Sequence, residues 1–185
     1  MGNSLRYSFS SEDNDKPDQG YENTVIGASV GTSFEQYRDI RVSLGLAASY
    51  DDLRTVESAS SSLKKQSGNY SDLRASYGFS RDKRNRAFMP TSGSITSFSQ
   101  SLPVYADKAS ISNTFSSSMY KSFNDNVVGA SKFYLSAING LGSDDVRLSK
   151  RKSLSTRRLR GFSKGKIGPV DGNDHIGGNY AAAIN

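Results

Sequence analysis

The fold of this chain is settled by residues 157–179, RRLRGFSKGKIGPVDGNDHIGGN. The stretch is too long and too polar to be a hairpin turn. Glycine at 161, the Gly168-Pro169 pair and Gly177-Gly178 punctuate it, and such positions let a loop hold one compact shape, because glycine accepts positive φ and proline fixes its own. Connections longer than about 12–15 residues are functional or disordered. Leu159, Phe162, Ile167, Val170 and Ile176 give this one apolar material to pack with, so it is predicted to be ordered. Arg160-Gly161-Phe162 is predicted to fold inward.

Around this loop the chain has period two. Leu5, Tyr7 and Phe9 alternate with Arg6, Ser8 and Ser10. Ile26, Ala28, Val30 and Phe34 form a second apolar face, and Ile40 through Tyr50 gives the clearest alternation in the chain. Leu73–Phe79, a weaker segment from Ser94 to Val104, Ala109–Met119 and Val127–Leu141 follow, and Tyr180, Ala182 and Ile184 begin an eighth strand. Alternation of this kind marks strands with one apolar and one polar face. Residues 12–20, 54–70 and 143–178 are predicted as long loops on one side. The short links fall on the other side, apart from the short connection at Tyr105-Ala106-Asp107. Aromatics such as Tyr7, Phe34, Tyr50, Tyr77 and Phe79 are predicted near strand ends, as interfacial girdles would require. The layout is that of an all-β, antiparallel, up-and-down transmembrane barrel, here a partial one of about eight strands. A soluble β-sandwich is the structural rival, since one buried face yields the same pattern.

Composition fits that architecture. The 185 residues are 35% hydrophobic, with a mean hydropathy of −0.58. No apolar run reaches the roughly 20 residues of a membrane helix, whereas a barrel keeps mean hydropathy low because only alternate residues meet lipid. Cysteine is absent, which removes disulfide and thiolate-metal frameworks. The start, Met1-Gly2-Asn3-Ser4, has no signal-peptide pattern, so the chain is expected to be a fragment. The net charge of +6 is concentrated: nine of the 24 basic residues lie between Arg147 and Lys166, leaving 15 against 18 acidic ones. Such a run is a solvated loop, or it is drawn to anionic lipopolysaccharide or to the wall of the lumen. No stacking aromatics are interleaved with it, so nucleic acid is not expected as a partner.

Leu159-Arg160-Gly161-Phe162, then Gly165-Lys166-Ile167-Gly168-Pro169, then an acidic stretch ending in Ile176-Gly177-Gly178-Asn179, resembles the sixth extracellular loop of the BamA superfamily, outer-membrane barrels with relatives in mitochondria and plastids. A second match is Arg86-Ala87-Phe88-Met89-Pro90-Thr91-Ser92-Gly93 after Asp82, similar to a short periplasmic turn of that superfamily. One departure is Ser153-Leu154-Ser155-Thr156-Arg157-Arg158, where many members carry a double glycine. The resemblance implies residence in the outer membrane and assembly of β-barrel proteins into it. It implies unfolded outer-membrane proteins as substrates and accessory envelope lipoproteins as partners, in contact with the bilayer and lipopolysaccharide. It further implies that residues 1–185 are the middle strands and inward loop of one barrel domain, with periplasmic repeat domains and last strands outside the chain. Arg160 would then reach a carboxylate on a strand beyond the sequence, with Phe162 packed on the inner wall. A two-partner secretion pore exporting one polypeptide is the alternative, and a passive porin a third.

Catalytic chemistry finds little footing. His175 is the single histidine, and Asp171-Gly172-Asn173-Asp174 beside it is more simply a turn than a metal or triad site. Gly161-Phe162-Ser163-Lys164-Gly165-Lys166 lacks the spacing of a phosphate-binding loop. Neither an enzyme nor a cofactor is expected.

Overall fold

The computed structural model describes residues 4–142, 145–163 and 165–185. Lys164, one cation of the basic run, and the first two residues of the predicted 143–178 loop lie outside them. Eight strands form one antiparallel sheet: β1 (Ser4–Lys16), β2 (Tyr21–Tyr37), β3 (Ile40–Thr55), β4 (Gly68–Asp82), β5 (Ser92–Ala106), β6 (Ser110–Asn124), β7 (Val127–Gly140) and β10 (Tyr180–Ile184). Each strand pairs with its neighbour in sequence, apart from β10, which joins β7 across the long connection. The sheet is open, with β1 and β10 as its edges. A separate small hairpin, β8 (Val170–Asp171) and β9 (Asp174–His175), lies within that connection.

The registers divide the sheet into two chemical faces. One carries Phe9, Ile26, Leu44, Leu46, Phe79, Met119 and Leu135, all exposed. A soluble sandwich would bury this face, since contiguous exposed apolar surface is rare outside binding and membrane contacts. The other face is built from serine and glycine. Ser8 and Ser29 share a hydrogen bond of 2.7 Å, and Ser97 and Ser116 one of 2.8 Å. The core lies on this inner face, at the end where the long connections emerge: Tyr21, Leu53, Ala59, Leu63, Tyr70 and Leu148 are buried together, with Val56 and Ile176 packed on them.

Two predicted loops are shorter than the sequence suggests. Glu12–Lys16 continues β1, with Glu12 opposite Val25 and Lys16 opposite Tyr21, so only Pro17–Gly20 turns. Residues 54–70 likewise shrink, because β3 runs to Thr55 and β4 starts at Gly68. The cause is common to both. Beyond the apolar belt the outward positions become polar (Asp13, Asp15, Asp52, Arg54, Asn69), the apolar alternation stops, and the backbone ladder continues without it. The shortened second loop also contains α1 (Ser61–Lys64), which Ser60 caps by accepting a hydrogen bond from the Leu63 N–H at 3.3 Å.

At the opposite end β2 and β3 are joined through Arg38-Asp39 and β6 and β7 through Asp125-Asn126, while residues 83–91 link β4 to β5. The turn from β4 to β5 is held by the Asp82 carboxylate, which accepts from Arg84 Nε at 2.8 Å and Nη2 at 2.6 Å. Arg86 Nε donates to the Met89 carbonyl at 2.7 Å just before Pro90. Gly93 has φ +94, and a Cβ there would strike the backbone carbonyl of Lys83. Gly93→Ala is therefore predicted to destabilise the full-length barrel by about 1–3 kcal/mol, the usual cost of forced left-handed backbone. Urea unfolding in lipid vesicles measures this, with Ser94→Ala as the unstrained neighbour that should change little.

Candidate functional site

The long connection returns over the inner face and is fixed there by its first arm. Val146, Arg147 and Leu148 are all buried. Leu148 enters the Tyr21–Leu53–Leu63–Tyr70 cluster, and its N–H donates to Gln66 Oε1 at 2.9 Å. Burying a leucine there removes apolar surface from water, a gain of about 1.5–3 kcal/mol, and it carries Arg147 into the wall.

Arg147 is 3% exposed. Its Nη2 donates to the Asp72 carboxylate, and its Nε lies 3.7 Å from Asp51 Oδ2. The guanidinium sits over the Tyr70 ring at 4.5 Å. Both aspartates are buried, on β3 and β4, whose inner-face positions alternate with lipid-facing ones. Asp51 is satisfied further by Asn23 Nδ2 at 2.6 Å and Ser149 Oγ at 2.7 Å, and Lys150 Nζ stands 3.3 Å from Asp72. A buried guanidinium without counter-ions would cost several kcal/mol; two carboxylates and a ring face make this position tenable. Burial pushes the Lys150 ammonium below its ordinary pKa, the Asp72 carboxylate opposing, and burial likewise lowers Lys152. Lys152 Nζ donates to Ser112 Oγ on β6 at 2.9 Å. The basic run is thus partly drawn onto the inner wall rather than left solvated.

The second arm closes back on the first. Gly178 and Lys152 exchange backbone hydrogen bonds of 2.7 and 3.0 Å, and the Asn179 carbonyl accepts from the Ile138 N–H at 2.8 Å. Gly177 permits this approach: its φ is +70, and a Cβ would stand 3.0 Å from the Lys152 carbonyl oxygen. Ile176 pairs its N–H with the Pro169 carbonyl at 3.1 Å, and Gly168 beside it has φ +131. The Asp171–Asp174 segment is the turn of the β8–β9 hairpin. Asp171 accepts hydrogen bonds from Ser62 Oγ and Ser60 Oγ, which hold its carboxyl below the usual carboxylate range.

The sequence motif and the observed anchor are different residues. Arg160 and Gly161 are exposed, Leu159 is half-buried and Phe162 is 52% exposed, so Phe162 does not pack on the described wall. Among the described residues Arg160 makes no ion pair. The reason is that the loop packs through its arms, by Leu148 and Ile176, while the contacts flanking its tip are Arg158, whose guanidinium stacks on the Tyr134 ring of β7 at 3.6 Å, and Lys166, which pairs with Asp18 at 2.5 Å. Arg147, Asp51, Asp72 and Arg158 were not singled out by sequence. The available signal was two acidic residues on an inner face rich in serine and glycine, opposite a basic run.

If the buried charges hold the loop, Asp72→Ala takes the ion-pair partner from Lys150 and leaves Arg147 only the longer 3.7 Å contact with Asp51. Hydrogen exchange on the full-length protein is predicted to show residues 145–152 opening more easily by about 3–5 kcal/mol while the strands stay protected. Arg160→Ala should leave protection of those residues unchanged.

A family model described as the Omp85 superfamily domain matches residues 1–184. A SAM50-like protein of Schizosaccharomyces pombe is 29% identical over 136 residues, which is 70% of this chain and 29% of that protein. The crystal structure of BamA from Haemophilus ducreyi lacking POTRA domains 1–3 matches with a TM-score of 0.82 and 26% identity, over 99% of this chain and 41% of that one. The chain spans less than half the length of either relative. The sheet is accordingly part of an antiparallel up-and-down transmembrane β-barrel, open between β1 and β10.

Proposed function

The chain belongs to the Omp85 superfamily, and on that footing we propose that it serves the assembly of β-barrel proteins into an outer membrane. It supplies middle strands of the barrel and the loop that occupies the lumen. Substrates are unfolded outer-membrane proteins. Accessory envelope lipoproteins act as partners, and the outer face meets bilayer lipid, with lipopolysaccharide where the outer leaflet contains it. The protein works without catalysis, by presenting strand edges and a perturbed bilayer to an incoming chain. An exposed strand edge offers unpaired N–H and C=O groups as a template, and a mismatched apolar belt lowers the local cost of insertion.

The observation that supports this reading most is the seating of the long connection on the inner wall by Arg147, Asp51 and Asp72. A loop of this length seated in the lumen would plug it, which disfavours a passive porin. In this reading the Leu159–Phe162 tip, with Arg160 directed to a carboxylate outside the chain, is the functional end of the loop, and its anchored arms present it. Asp82, Pro90 and Gly93 shape a turn on the periplasmic side, while Gly168, Pro169, Gly177, Gly178 and Asn179 shape the loop's return.

Depletion of the full-length protein in its own cell tests the proposal. The expected result is a several-fold fall in many unrelated outer-membrane barrels, measured by quantitative proteomics of the membrane fraction. Loss of one secreted polypeptide with the other barrels level would instead establish a dedicated export pore.

A further inference from the structure

The outer face at the short-turn end holds a groove that the loop and lumen do not use. Ser94 of β5, Met119, Lys121 and Phe123 of β6, and Gly129 and Ser131 of β7 line it. Its origin is in the register. Met119 stands between Ser94 and Ser131, and Lys121 stands opposite Gly129. Two long side chains on β6 are therefore flanked by small or absent ones, leaving a trough. Phe123 folds back across Gly129, whose missing Cβ makes room for the ring, so the trough is closed at the turn end and open toward the middle of the sheet. Its volume is about 590 Å³, within the roughly 300–1,000 Å³ of small-molecule sites.

Position and charge select the occupant. β6 has 15 residues, while a spanning strand needs about 9–11. Lys121, three residues before the strand ends at Asn124, therefore lies at headgroup level and Met119 in the acyl region. The Lys121 ammonium is exposed and has no ion-pair or hydrogen-bond partner among the described residues. Arg81 lies on the same face two strands away, opposite Thr96. Nearby Arg84 is by contrast neutralised by Asp82. The groove thus offers an apolar trough with a free cation at its headgroup end, complementary to a lipid that has a negative headgroup.

We propose that this groove is a binding site for an anionic glycerophospholipid, with an acyl chain along Met119 between Ser94 and Ser131 and the phosphate on Lys121. One cation at a membrane surface shifts anionic-lipid affinity by about fivefold, so headgroup preference rather than lipid contact alone is the signature.

The test reconstitutes the full-length protein in mixed phosphatidylglycerol and phosphatidylcholine bilayers, extracts it in mild detergent and quantifies retained lipid by native mass spectrometry. The native protein should retain phosphatidylglycerol preferentially. Lys121→Gln should lower retained phosphatidylglycerol by about fivefold without changing phosphatidylcholine. Gly129→Val, which fills the trough with a residue suited to strands, should lower both. Heat-modifiable gel mobility identifies folded protein in each case, and Ser122→Ala on the opposite face serves as the matched control. Equal phosphatidylglycerol retention by the native protein and Lys121→Gln would overturn the proposal, as would a folded Gly129→Val variant that keeps its full lipid complement.

Discussion

Arg147 is buried in a wall that would reject it without Asp51 and Asp72, and the wall positions of Asp51 and Asp72 would be costly without Arg147. This mutual dependence orders the long connection. Each charge alone would forfeit several kcal/mol of hydration; together, with the Tyr70 ring beneath the guanidinium and Leu148 in the adjoining apolar cluster, they give loop and sheet a buried contact that is both ionic and apolar. Everything beyond it is lighter. The Lys152–Gly178 bridge, the Asp171–Ser60 contact and the Arg158–Tyr134 stack shape the loop once its first arm is seated, and none is as deeply enclosed.

The two sheet faces follow from one sequence rule used in two solvents. Inside, serine and glycine alternate along the strands, so cross-strand hydroxyl pairs satisfy one another and leave space for a returning loop. Outside, leucine, phenylalanine and valine occupy the intervening positions. A polar lumen needs small residues where the loop lies close, and Asp51 and Asp72 stand where the basic arm arrives.

Most of the barrel wall was legible in the sequence because alternation survives wherever one strand face meets lipid. It failed where that contrast ended. Glu12–Lys16 looked like a loop because every residue in it is polar, yet its register with β2 continues unbroken. Helix α1, whose single buried residue is Leu63, was hidden in a serine- and lysine-rich segment. In the loop, Arg160-Gly161-Phe162 identified the family while the residue that anchors the chain, Arg147, passed as one more cation. Its partner Asp72 is 75 positions away, and nothing local links them. The inner-face parity of Asp51 and Asp72 was the available clue, since acidic residues on a lumen wall call for a cationic partner.

Arg147 and Asp72 hold the loop as a coupled pair, and a double-mutant cycle measures that coupling. The opening free energy of the Leu148 amide, measured by hydrogen exchange in the full-length protein, would be compared among the native chain, Arg147→Ala, Asp72→Ala and the double variant. Coupled residues give a strongly non-additive result, with the second substitution costing about 1–3 kcal/mol less once the first is made. Additivity within about 0.5 kcal/mol would mean that the two residues act independently and that something else seats the loop.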